Sequence, residues 1–157
     1  MKPLLQAPHK YIRNLLLFCL AILLFASCRK KLPEAEQVEL LLAAHIWKFS
    51  KATALSVNIS GFFEDCYKDN TLRFFSNKTG MMDEGPTKCL DIDPQTVDFG
   101  WSFEPDTRKL IFSGSFVILP GASDVFTLIR ISSNELVLAQ PITYSGITQN
   151  VQITLVP

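Results

Sequence analysis

Thr96-Val-Asp-Phe-Gly-Trp-Ser-Phe-Glu104 decides the fold: Val97, Phe99, Trp101 and Phe103 alternate with Asp98, Gly100 and Ser102. Successive strand side chains point to opposite faces, so this alternation makes one apolar and one polar face, the pattern of a half-buried antiparallel strand. Pro105-Asp-Thr-Arg-Lys109 then turns the chain, and Leu110, Phe112, Gly114 and Phe116 resume the period of two. Outward from there, further strands are expected at residues 45–57, 70–76, 79–83, 124–131, 135–142 and 147–156. Turn-forming stretches separate them, such as Asn77-Lys78, Pro120-Gly121-Ala122-Ser123, Ser132-Ser133-Asn134 and Tyr144-Ser145-Gly146. Residues 85–95 are the least regular.

Upstream, Glu34-Ala-Glu-Gln-Val-Glu-Leu-Leu-Leu-Ala-Ala44 is rich in helix formers and carries carboxylates in its first turn, where the helix dipole favours them. Val38, Leu41 and Leu42 fall on one face of that helix. The expected class is therefore all-β: an antiparallel eight-stranded meander barrel with one short N-terminal helix. Closure removes the exposed edges that an open sheet of about eight strands would carry. A β-sandwich is the rival architecture.

The chain of 157 residues is formally neutral, with 15 Lys and Arg against 15 Asp and Glu, but the balance is uneven along it. Residues 1–27 hold 18 apolar side chains and three positive ones, Lys2, Lys10 and Arg13, leaving 12 positive against 15 negative charges downstream, a net −3. A mildly acidic domain argues against nucleic-acid binding. The positive start followed by the unbroken apolar run 15–25 has the form of an export signal, too short to span a bilayer. The run ends in Leu24-Phe-Ala-Ser-Cys28, which resembles the lipobox of bacterial lipoproteins.

That resemblance implies a signal peptide at 1–27, a lipidated Cys28 on a tether at 28–33, and a folded domain at 34–157. The lipid would be a diacylglyceryl thioether with N-acylation, such as palmitate. Two or three acyl chains hold a protein to a membrane firmly where one does not. Arg29 in place of Asp implies the outer membrane, with the leaflet left open by Arg29-Lys30-Lys31. Cys19 would leave with the leader and Cys28 would carry lipid. The remaining Cys66 and Cys89 are then expected to form a disulfide in an oxidising compartment, contributing on the order of 3 kcal/mol. A zinc site or catalytic thiol is the alternative, with His45 the one histidine left downstream.

Four features together are similar to the lipocalin-like lipoproteins of the Bacteroidetes. They are the lipobox, the helix running into His45-Ile-Trp-Lys-Phe49, the stretch Cys66-Tyr-Lys-Asp-Asn-Thr-Leu-Arg-Phe74 with Asn77-Lys-Thr-Gly80, and Phe99-Gly-Trp-Ser-Phe103 leading to Lys109-Leu-Ile-Phe112. Phe126-Thr-Leu-Ile-Arg-Ile-Ser-Ser-Asn-Glu-Leu-Val-Leu138 is similar to that family's closing hairpin. The resemblance implies a single calycin-like barrel on a lipid anchor, with a binding role.

Recognised catalytic patterns are missing from the sequence: there is no Gly-x-Ser-x-Gly, P-loop or dinucleotide glycine motif. His45, beside Ile46-Trp47, reads as a structural or surface residue. The carboxylates Glu64-Asp65-x-x-x-Asp69, Asp83-Glu84 and Asp91-x-Asp93 lack EF-hand spacing and read as solvated loops. Neither an enzyme nor a resident cofactor or metal is expected. The candidate ligand-binding set is Trp47, Phe99, Trp101, Phe112, Phe126 and Arg130. Arg130 shares parity with Phe126 and Leu128, so on a regular strand it would enter the lumen and there need an anionic partner. The other possibility turns Ile129 and Ile131 inward and Arg130 to solvent.

Two functions follow from these expectations for a lipid-anchored, monomeric envelope protein. In the first, the barrel binds a small apolar or amphipathic ligand. In the second, it is packed solid and acts as a structural or interaction module, contacting another envelope protein or inhibiting an enzyme. An eight-stranded barrel is only just wide enough either to be filled by its own side chains or to hold one small ligand.

Overall fold

The computed structural model describes residues 32–114, 118–144 and 146–157. The expected leader at 1–27, the lipidation site Cys28 and the strand continuation at Phe116 lie outside them. Pro33–Pro157 form one compact unit.

Helix α1 covers Glu34–Ala44 and buries Val38 and Leu42. Strand β1, Ile46–Ala54, follows directly, and a tight turn leads into the two-residue β2, Val57–Asn58. A 3-10 turn at Ser60–Phe62 and the short helix α2, Asp65–Lys68, precede β3, Thr71–Phe74, and β4, Thr79–Asp83. The remaining strands are β5, Thr96–Glu104; β6, Lys109–Ser113; β7, Val125–Ile131; β8, Leu136–Tyr144; and β9, Ile147–Val156. Among the described residues β1 and β3 to β9 form an antiparallel meander, and β1 also pairs with β9, so eight strands close into a barrel. β2 extends the sheet only beside the end of β1. The barrel expectation holds and the sandwich does not. β2, the 3-10 turn and α2, all between residues 55 and 70, are elements that the sequence pattern does not announce.

Sequence alternation sets which face is buried. In β5 the buried or half-buried set is Val97, Phe99, Trp101 and Phe103, with Asp98 and Ser102 outside. Two strands change parity partway. In β1 the register shifts between Phe49 and Lys51, so Trp47 and Phe49 face inward before the bulge and Ala52 and Ala54 after it. In β7 Leu128 pairs with Leu138 but Arg130 with Val137, leaving Ile129 as the extra residue. One inserted residue flips every side chain after it to the other face.

The register also sorts the connections by end. The turns at 75–78, 105–108 and 132–135 lie at the end where β1 begins, and α1 lies across it. Arg108 pairs with Glu34 and Lys78 with Glu39, while the buried indole Nε1 of Trp47 donates to the Leu42 carbonyl at 3.0 Å. That last bond satisfies a carbonyl in the final turn of α1, which a helix end otherwise leaves without a partner. The opposite end carries the long connections at 55–70 and 84–95 and the stretch at 118–124.

Candidate functional site

The lumen is the first place where a ligand would be sought, and among the described residues aromatic rings pack its interior. Phe74 contacts Phe99 and Trp101 edge to face, with centroids 5.5 Å apart in both pairs, and lies 6.0 Å from Phe112. Phe112 in turn meets Phe99 and Phe126 at 5.6 Å each, again edge to face. Such pairs contribute about 0.5–1.5 kcal/mol beyond the area they bury. Trp47, Phe74, Phe99, Trp101, Phe112 and Phe126 are all at most 4% exposed. The indole of Trp101 donates to the Thr79 carbonyl at 2.9 Å, and the Lys78 ammonium stands 4.4 Å above its ring.

Five of the six candidate residues therefore share the barrel interior, and four of them belong to one aromatic network. Its central ring, Phe74, escaped the sequence reading because β3 is only four residues long; its parity with Leu72 was the available signal. The cavity lined by Phe49, Tyr67, Asn70, Leu72, Met82, Ile118 and Leu155 measures about 10 Å³. That is room for about one water molecule, far below the several hundred Å³ of a small-molecule site.

Of the two orientations expected for Arg130 the structure shows the solvent-facing one: the bulge at Ile129 turns it out of the barrel and lets Ile131 pack against the core, while Ile129 itself stays exposed. Its Nε donates to Glu135 Oε1 at 2.6 Å and its Nη2 to Oε2 at 3.1 Å, a two-point bond across the β7–β8 turn. The guanidinium thus meets the carboxylate that its charge requires, but in solvent. That pairing holds the Glu135 carboxyl below its ordinary range and raises Arg130.

Outside the barrel, Val38 and Leu41 of α1 and Ile129 and Ile131 of β7 form an open groove of about 250 Å³, with Arg108 and Arg130 at its rim. Besides its pairing with Glu34, Arg108 donates from Nε to the Leu128 carbonyl at 3.0 Å. The groove was not legible in the sequence, since it depends on how α1 crosses the strand ends.

Cys66 and Cys89 form the expected disulfide, which ties α2 to the β4–β5 connection with Cα atoms 5.1 Å apart. His45 is half-buried with its ring against Trp47, centroids 5.3 Å apart. Asp83 accepts bonds from the Gly85 amide and from Gln95 Nε2, and Asp69 from the Thr87 amide, so these carboxylates brace the loop. Glu84 is buried, and that burial, reinforced by Asp93, pushes its carboxyl above the ordinary range. Among the described residues no three His, Cys, Asp or Glu side chains are placed to hold a metal. No helix among them is long and apolar enough to cross a membrane.

No family model matches the chain, and no curated protein matches it. The closed antiparallel eight-stranded barrel agrees with a lipocalin-like fold.

Proposed function

We propose that this chain is a lipid-anchored lipoprotein of the outer envelope, of the Bacteroidetes lipocalin-like type, whose barrel is a rigid interaction module and not a carrier. The observation that carries the choice between carrier and module is the filled lumen: the Phe74, Phe99, Trp101, Phe112 and Phe126 rings interlock, and the cavity beside them is about 10 Å³. A barrel packed in this way offers its outer face and its loops for binding. The anchor rests on the Leu24-Phe-Ala-Ser-Cys28 motif.

Native mass spectrometry of the protein extracted from its own cells tests the module reading. The expected result is the mass of the lipidated chain with no stoichiometric small molecule retained; a stoichiometric organic ligand displaced by Phe112→Trp would return the lumen to a carrier role. Labelling with palmitate tests the anchor separately. Label should be lost in Cys28→Ala, and its persistence there would remove the lipoprotein reading. The groove beneath α1 favours a second reading, in which a small amphipathic ligand seats its chain against Val38, Leu41, Ile129 and Ile131 outside the barrel.

A further inference from the structure

The end of the barrel opposite α1 concentrates apolar side chains that folding does not bury. Eleven large apolar residues are exposed among the described ones, and the six most exposed all sit at this end, on its loops, in β2 or at the start of β9. They are Ile92 (88%), Phe62 (84%), Leu55 (82%), Ile147 (63%), Val57 (62%) and Leu90 (58%). Single exposed apolar residues are ordinary on any surface, but the topology brings the six most exposed to one end, where an exposed apolar surface suits contact with a partner.

The fold does not account for these residues. Leu55 and Ser56 form the β1–β2 turn with φ of 49° and 66°, a conformation in which Asn or Gly is the unstrained choice. Leu55 thus takes on backbone strain and gains no burial. Phe62 ends a 3-10 turn, with its side chain outside the core. Leu90 and Ile92 follow Cys89, whose bridge to Cys66 holds their loop, and Asp93 Oδ2 accepts the Leu90 amide at 3.2 Å. The loop that carries Leu90 and Ile92 is therefore tied down before any partner arrives, which lowers the entropy lost on binding there.

Charge narrows the partner. Apart from the buried Glu84, the described connections at this end, residues 55–70, 84–95 and 118–124, carry six exposed or half-buried carboxylates against Lys68 and Lys88, a local net of −4. An anionic lipid surface or a nucleic acid would be repelled, whereas a cationic one would be attracted over a Debye length. We propose that this end of the barrel is a docking surface for a basic, apolar segment of another protein, its apolar side chains meeting Leu55, Phe62 and Ile92 and its cations meeting the surrounding carboxylates.

The proposal rests on the interaction-module reading, and photocrosslinking of the full chain in its own cells separates the two. A benzophenone amino acid is placed at Phe62 and at Ile92, and at Leu40 and Ile46 toward the opposite end. Adducts from positions 62 and 92 that map to a net-positive, apolar protein segment are the expected result. Adducts to lipid or to an acidic segment, or protein adducts from positions 40 and 46 alone, would overturn the docking surface, the last of these leaving the module reading intact. No protein adduct from any of the four positions overturns both.

A synthetic amphipathic Leu/Lys peptide gives a second measurement. Leu55→Ser, Phe62→Ser and Ile92→Ser combined should weaken its binding about tenfold or more, roughly the loss of one well-buried apolar contact, with the melting temperature unchanged because none of the three is buried. Equal binding by the triple variant, or equal affinity for a Leu/Glu peptide, would count against the proposal.

Discussion

Gly80 and Phe99 fit against each other: a Cβ added at Gly80 would stand 2.3 Å from the Phe99 ring. Gly80 pairs with Phe99 across β4 and β5, so the absence of a side chain on one strand makes room for the ring on the next. Gly80→Ala is expected to destabilise the barrel by about 1–3 kcal/mol, the usual range for overpacking. Phe99→Leu in the same chain should restore only part of this, because the Arg73 carbonyl oxygen lies 2.8 Å from the same added Cβ. Chemical denaturation of the single and double variants measures the coupling.

Phe74 touches Phe99, Trp101 and Phe112, so its removal opens the lumen. Phe74→Ala should lower stability by about 3–5 kcal/mol. If the protein still folds, the new void should take up xenon or benzene, as engineered apolar cavities do. Uptake by the wild type at the same pressure would contradict a filled lumen.

Arg130→Gln should leave the fold and the melting temperature close to those of the wild type, because an exposed ion pair contributes little. The readout that reports the pairing is Glu135, whose carboxyl should titrate closer to an ordinary glutamate once Arg130 is gone, followed by NMR. A severe loss of stability would return Arg130 to the interior.

The Cys66–Cys89 bridge restrains α2 and the β4–β5 connection. Replacing both cysteines with serine should lower stability by about 2–4 kcal/mol. Intact mass should rise by two hydrogens on reduction of the wild type and not in the double variant.

Glu84 sets a pH dependence whose sign follows from its burial. Its folded-state carboxyl is raised above 4.5, chiefly by desolvation and then by Asp93, so the folded chain holds that proton more tightly than the unfolded chain. Its contribution to stability is full below 4.5 and is lost as pH rises through the raised folded value. Glu84→Gln should melt higher than the wild type at neutral pH, and the difference should shrink toward pH 4.5. A constant difference across that range would assign the effect to something other than titration.

The sequence by itself determined the barrel strands, because alternation along β5 and β6 and closely spaced turn residues leave few ways to bury one apolar face. It determined α1 to the residue, Glu34–Ala44, through helix formers with acidic residues at the start. The lipobox resemblance, by setting Cys19 and Cys28 aside, implied the Cys66–Cys89 pair that the structure shows. Tertiary structure decided the rest. Whether the aromatics enclose a cavity or fill one depends on how the Phe74, Phe99 and Phe112 rings interlock across strands, which no single strand records. The direction of Arg130 turned on one unpaired residue, Ile129, whose bulge is a property of the β7–β8 register. The groove under α1 and the gathering of Leu55, Phe62 and Ile92 at one end exist only once closure brings connections distant in sequence to the same rim. Local periodicity fixes which face of each strand is apolar, and chain closure fixes what that face meets.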